Sequence, residues 1–231
     1  SVIIQGPGTV TGGNYTGEIS FFSPKGVIDV AGSASLTVKA GAMIKGGKIE
    51  SNNTIGDFDA IKFASSGMLT IEDSTVVGLD YGNRDAGNAV YVSGTATVVV
   101  TRSNLTGGSS TSNTAGNALE LRTSGNVAAQ ITNSILTGGA NEKSRSGGDG
   151  LYVSSGASAF VSGGAITGGQ GNSGGKGVNV SGSVKLDNVV VTGGASTNST
   201  PGVGVYCTSP AKTVIITGST VTGGSPALGT T

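Results

Sequence analysis

A repeat of about thirty residues constrains this chain more than any other feature. The tripeptide Thr-Gly-Gly stands at Thr11, Thr106, Thr137, Thr167, Thr192 and Thr222. Lys45-Gly46-Gly47 and the degenerate Val77-Gly78 fill the first long interval. Consecutive steps are then 34, 32, 29, 31, 30, 25 and 30 residues. A unit of that size cannot bury an apolar face alone, so neighbouring units must stack on one another.

Aligned units share three apolar elements. The first is a pair: Ile28/Val30, Ile61/Phe63, Val90/Val92, Leu119/Leu121, Leu151/Val153, Val178/Val180 and Val205/Cys207. The second is another pair: Leu36/Val38, Leu69/Ile71, Val98/Val100, Ala129/Ile131, Ala159/Val161, Val184/Leu186 and Val214/Ile216. The third ends on one strong position: Ile44, Val76, Leu105, Leu136, Ile166, Val191 and Val221. Alternation of apolar and polar residues predicts strands with one buried side. The step from the second pair to the third element is five residues in six of the seven units, which implies a tight corner. The step after the third element varies, so that side carries loops.

Tight two-residue hairpin loops of the Asn-Gly type are missing between the elements. Each strand is therefore expected to pair in parallel with its equivalent one unit away. The expected fold is all-β: a single-stranded parallel β-helix with three short strands per coil and about seven coils. Residues 1–26 are read as an atypical first coil or N-terminal cap, 27–224 as the repeats and 225–231 as a tail.

Gly41, Asp73, Arg102, Asn133, Gly163, Asn188 and Gly218 occupy the tight corner, where a left-handed backbone is needed. Arg102 is the misfit and is expected to carry strain. Ala42, Ser74, Ser103, Ser134, Gly164, Val189 and Ser219 follow, and the recurrent Ser predicts a hydroxyl ladder. Gly87-Asn88, Gly116-Asn117 and Gly148-Asp149 close the variable loops, where Asx side chains are expected to cap the turn locally.

Composition narrows the chemistry. Among 231 residues there are 43 Gly, 30 Ser and 27 Thr, and neither His nor Trp. Without His there is no Ser-His or Cys-His nucleophile and no imidazole metal ligand. Cys207 is the one cysteine, which excludes an internal disulfide. It fills an inward slot and is expected to be a small core residue. The 13 basic and 13 acidic residues balance, so no field for nucleic acid is expected. No apolar run reaches the roughly 20 residues of a membrane helix. No leader precedes Ser1, as expected of a mature chain or an excised segment.

Residues 177–194 (GVNVSGSVKLDNVVVTGG) and 150–156 (GLYVSSG) resemble the passenger domains of pertactin-type bacterial autotransporters. The resemblance runs from about residue 27 to 224 and lies in pattern rather than in a signature motif. It implies a right-handed parallel β-helix, secretion to the outer bacterial surface and an adhesive role. The pectin-lyase-like enzymes share the superfold, and their catalytic residues stand outward on one strand ladder.

That ladder reads Asp29, Lys62, Tyr91, Glu120, Tyr152, Asn179 and Tyr206 here. Its two acids are three coils apart, roughly 14 Å, beyond either glycosidase geometry. The loop acids Asp80, Asp85, Glu142 and Asp149 read as solvated or turn-forming groups. No catalytic residue, metal site or cofactor is expected. Tyr91, Tyr152 and Tyr206 stand two coils apart on one outer face, with Glu120 and Asn179 between them. These five residues are the expected binding ladder, for stacking on sugar rings or contact with a host protein. The expected function is an extracellular, non-catalytic adhesin or display scaffold. A β-helical stalk or self-assembling fibre subunit is the alternative, and a polysaccharide-binding or polysaccharide-degrading enzyme stands third. Expected partners are a host-cell protein or glycan, or a second copy of the chain, end to end or side by side.

Overall fold

The computed structural model describes residues 1–11, 27–49, 58–82, 84–122, 126–143, 145–208 and 213–226. Every strand pairing among them is parallel, and none of them is helical. The chain winds as a parallel β-solenoid of about six turns. The first face is a sheet of seven strands: Ile28–Gly32, Ile61–Ser65, Val90–Val92, Leu119–Leu121, Leu151–Val153, Val178–Val180 and Val205–Cys207. The second and third faces belong to one sheet of 14 strands. They join because Val127–Thr137 and Ala157–Thr167 run through the corner unbroken.

The inward columns have the register that the repeat predicts. Val90 pairs with Ile61 and Leu119, Leu119 with Leu151, and Leu151 with Val178. On the second face Leu69, Val98, Ala129, Ala159 and Val184 follow one another. Ile44, Val76, Leu105, Leu136, Ile166 and Val191 form the single column of the third face. These columns merge into one core, with most members fully buried. The register is pinned because a one-residue slip would turn every apolar side chain outward. Residues 1–11 add two strands in the same register, Val2 against Leu36 and Val10 against Ile44. Residues 12–26 of the expected cap and 227–231 of the expected tail lie outside the described residues.

The predicted corner is left-handed at every predicted position. Asp73, Arg102, Asn133 and Asn188 have φ between 46° and 55°, and Gly41, Gly163 and Gly218 have positive φ as well. Arg102 is clamped as well as twisted. Its Nε and Nη2 donate to Asp73 of the preceding corner at 2.7 and 2.8 Å, and Nη2 donates also to Glu72 at 2.8 Å. The hydrogen bond from Arg102 holds the Asp73 carboxyl below its ordinary value of 3.8. That clamp therefore stabilises the fold above about pH 3.8 and weakens as acid protonates Asp73. Arg102→Gly relieves the backbone and removes the clamp together. An NMR titration of Asp73 should then show its pKa moving back up toward 3.8. An unmoved titration would mean that the side chains do not meet in solution.

Beside the corner the serine ladder forms as expected. Ser103 Oγ accepts the Ser74 N–H at 3.2 Å, and Ser134 Oγ accepts the Ser103 N–H at 3.1 Å. Each hydroxyl also donates to a carbonyl two residues back, so these buried groups are satisfied.

The variable loops leave the solenoid through a neck of glycines. Gly108 donates to Gly87, Gly116 to Gly108, Gly139 to Gly116 and Gly148 to Gly139, at 2.8–2.9 Å. The zigzag continues through Gly169, Gly175, Gly194, Gly202 and Gly224. Outgoing and incoming arms touch backbone to backbone there, which only glycine allows. Beyond the neck the loops stack as a side lobe through parallel bridges, Tyr81 to Ser110 and Ser110 to Asn141. Phe58, Leu79 and Tyr81 form a separate small core at its base, the two rings 5.1 Å apart.

Two expectations need correction. The Asx residues that close the loops do not cap locally. Asp59 accepts the Asn88 N–H at 2.9 Å, Asn88 accepts that of Asn117 at 2.7 Å, and Asn117 that of Asp149 at 2.7 Å. They bond from coil to coil, each side-chain oxygen taking a backbone N–H one coil further on. Cys207 keeps its inward register with Val180 but is exposed. It lies on the last described strand of the first face, where no further described strand covers it.

Candidate functional site

The outward ladder on the first face is assembled as the repeat predicts. Tyr91 pairs with Glu120, Glu120 with Tyr152, Tyr152 with Asn179 and Asn179 with Tyr206. Successive tyrosines are two coils apart, roughly 10 Å. Outward does not mean exposed, however. Tyr206 is 44 % exposed, Tyr91 and Tyr152 are half-buried, and Glu120 is only 6 % exposed. Glu120 is shut in by Tyr91 and Tyr152 on either side and by Arg122 one turn of the pleat further on. Its Oε1 takes Arg122 Nε at 2.7 Å and its Oε2 takes Asn117 Nδ2 at 2.8 Å. Its neighbourhood raises two other groups. Burial, and then the charge of Glu120, pushes the Tyr91 phenol above its ordinary value. Glu120 likewise raises Arg122.

Simple alternation predicts that Glu120→Ala costs within about 0.5 kcal/mol, as at an exposed site. The structure revises that figure. Alanine would leave Asn117 Nδ2 without its acceptor and uncouple Arg122. A loss of about 1–2 kcal/mol is expected from urea unfolding. A loss inside 0.5 kcal/mol would mean that water replaces both contacts freely.

Two tyrosines lie under cations. The Arg122 guanidinium sits 5.5 Å from the Tyr152 ring centre, and the Lys176 ammonium 5.4 Å from that of Tyr206. Lys176 approaches Asp149 at 3.8 Å, and Asn179 Nδ2 donates to Asp149 at 2.7 Å. The ladder thus repeats one arrangement, acid, cation and ring: Glu120–Arg122–Tyr152, then Asp149–Lys176–Tyr206. The cations, the Asx ladder and Asp59 escaped the sequence reading. Arg122 and Lys176 stand just outside the alternating positions. Asp59 follows Phe58 where three other units have Gly before Asx.

Between this ladder and the incoming arms of the loops lies an open cleft of about 550 Å³. Its floor carries Asp59, Asn88, Tyr91, Asn117 and Glu120, and Arg84–Asn88 and Thr114–Asn117 form its wall. Asp59 and Glu120 line the same cleft two coils apart, roughly 10 Å. Asp59, which is not a member of the ladder, therefore stands nearer to Glu120 than the ladder's other acid, Asp29, three coils away. Both oxygens of Glu120 are nonetheless occupied by donors, and Asp59 Oδ1 takes two bonds from Asn88. Among the described residues no three His, Cys, Asp or Glu side chains are placed to hold a metal ion. No helix there is long and apolar enough to cross a membrane.

The fold and this cleft define a class: a parallel β-solenoid with a polar groove between one face and a stacked lobe of loops. No protein-family model, curated protein or solved structure matches the chain.

Proposed function

We propose that the chain is a non-catalytic adhesive scaffold, displayed outside the cell, that presents its first face to glycan or protein surfaces. The pertactin-like pattern of residues 150–156 and 177–194 supports display on a bacterial outer surface. The observation that carries the reading is the single register column Tyr91, Glu120, Tyr152, Asn179 and Tyr206. It repeats aromatic and polar groups at roughly 10 Å intervals along a rigid rod. Rings with polar tips beside hydrogen-bonding groups suit sugars and protein surfaces alike. A shallow face binds each ligand weakly, and display in many copies compensates through avidity.

The test is binding of protein-coated beads to host cells and to a glycan array. The wild type is compared with a variant carrying Tyr91→Ser, Tyr152→Ser and Tyr206→Ser. Loss of binding by a folded variant supports the reading. Undiminished binding moves the contact to loops 107–117 and 138–149. Turnover of any glycan by the wild type would overturn the non-catalytic reading and point to Asp59 and Glu120. With neither binding nor turnover, the chain is better read as a stalk.

A further inference from the structure

We infer that the cleft beside Tyr91 is a preformed subsite for a short, neutral, hydroxyl-rich glycan segment; this deepens the adhesive reading and rests on it. Four observations converge on that ligand class.

The first is shape. Against about 330 Å³ for the hollow between residues 95–97 and 155–158, this cleft has a floor, a wall and about 550 Å³ of space. That volume lies within the range of small-ligand sites. The cleft spans the coils of Asp59, Asn88 and Asn117, a run of roughly 10 Å, close to the length of two linked sugar rings.

The second is rigidity. The floor is fixed by side chains that bond from coil to coil, with Asn88 Nδ2 on Asp59 at 2.9 Å and Asn117 Nδ2 on Glu120 at 2.8 Å. The wall hangs from Gly87 and Gly116, which both belong to the backbone zigzag. Asp85 ties the two strands of the wall together by accepting the Thr114 N–H at 3.0 Å. A site held this way loses little freedom on binding, which favours weak ligands such as sugars.

Charge is the third. Three carboxylates, Asp59, Asp85 and Glu120, face two guanidiniums, Arg84 and Arg122. Lys62, the in-register neighbour of Tyr91, brings the local charge to balance, so no net positive charge draws uronates or sulfated chains. Arg84 and Asp85, both exposed on the wall, match the paired acceptors and donors of vicinal hydroxyls.

The fourth is the ring. The Arg122 guanidinium sits over the Tyr152 ring, and Tyr206 lies under Lys176. Tyr91 lines the cleft and offers a half-buried ring to a sugar.

The experiment is calorimetric titration of the intact chain with cellotetraose, xylotetraose, laminaritetraose and mannotetraose. Tetragalacturonate serves as the anionic comparator. At least one neutral tetraose should bind in the millimolar range or tighter, and the anion should not. Tyr91→Ala should weaken that binding about tenfold, and Phe160→Ala, on the second face, should leave it unchanged. Amide shifts in the wild type keep the test valid if Tyr91→Ala fails to fold. They should move at Arg84–Asn88 and Thr114–Asn117 and stay still near Tyr206. Preference for tetragalacturonate, shifts confined to the Tyr206 end, or no binding of any tetraose would each overturn the subsite. Bead adhesion is decided separately by the triple tyrosine variant. Tetraose binding together with absent bead adhesion would therefore sink the adhesive reading alone.

Discussion

Leu119→Asp should be among the most damaging single changes in the chain, with a loss of about 3–5 kcal/mol. Leu119 is fully buried between Val90 and Leu151, themselves fully buried, one coil to either side. A carboxylate there faces only apolar neighbours. It must either stay charged without a partner or take up a proton. Most small domains have about 5–15 kcal/mol to lose, so a large share goes at once. The sign of its pH dependence follows. Burial raises the folded-state pKa of the introduced carboxyl above its unfolded value. The loss is therefore full at neutral pH and shrinks as the pH falls through the raised pKa. Urea unfolding at pH 7 and again near pH 4 measures both effects. Leu119→Ala is the control, expected to lose about 2–5 kcal/mol through the cavity alone, with no such pH trend. Equal stability of Leu119→Asp and wild type would mean that position 119 does not face the interior.

Glu120 is the next residue along the same strand, and the contrast shows what the sequence carried and what it did not. Inward positions were legible because strand alternation has period two and the corner has a near-constant length. Those two regularities place Leu119 and fix its neighbours in the stack. The left-handed corner was legible at Asn133 and Asn188 for a chemical reason: few side chains tolerate that backbone. Even Arg102 was placed correctly by position alone. Its clamp on Asp73 was not foreseen, because it joins corners 29 residues apart through flexible side chains. The burial of Glu120 was hidden for a similar reason. It depends on Tyr91 and Tyr152 one coil away, and on Arg122, which reaches back to Glu120 and lies over the Tyr152 ring. Asp59 and the cleft needed the loop wall, whose path is set by units of unequal length. Periodicity therefore gave the inside of the rod, and the outside had to be seen in three dimensions.

The glycine neck makes the second strong case. Gly139→Ala should cost about 3 kcal/mol, at the upper end of overpacking penalties. A Cβ on Gly139 would sit 2.0 Å from the Gly108 carbonyl oxygen and 2.7 Å from its carbon. Ordinary van der Waals contact begins near 3.4 Å, so the outgoing arms of these two neighbouring coils must part by more than an ångström. Nothing flexible stands in the way to yield, because the clash is with backbone. Parting the arms also breaks the bonds from Gly139 N–H to Gly116 and from Gly148 N–H to Gly139, both buried links of the zigzag. The lobe above them, with Ser110 and Asn141 in its bridges, loses its register as well. Hydrogen exchange should quicken first at Gly116, Gly139 and Gly148, before the inward columns are affected. Gly223→Ala, at the first glycine of the last Thr-Gly-Gly, is the control. Its added Cβ would meet only the Gly202 oxygen, at 3.8 Å, and its φ is not positive. That change should stay within about 0.5 kcal/mol of wild type. The second glycine of the tripeptide is thus needed for close backbone approach, and the first only where an incoming arm packs on it. If Gly139→Ala and Gly223→Ala melt together with the wild type, the outgoing arms of neighbouring coils do not touch and the neck is open.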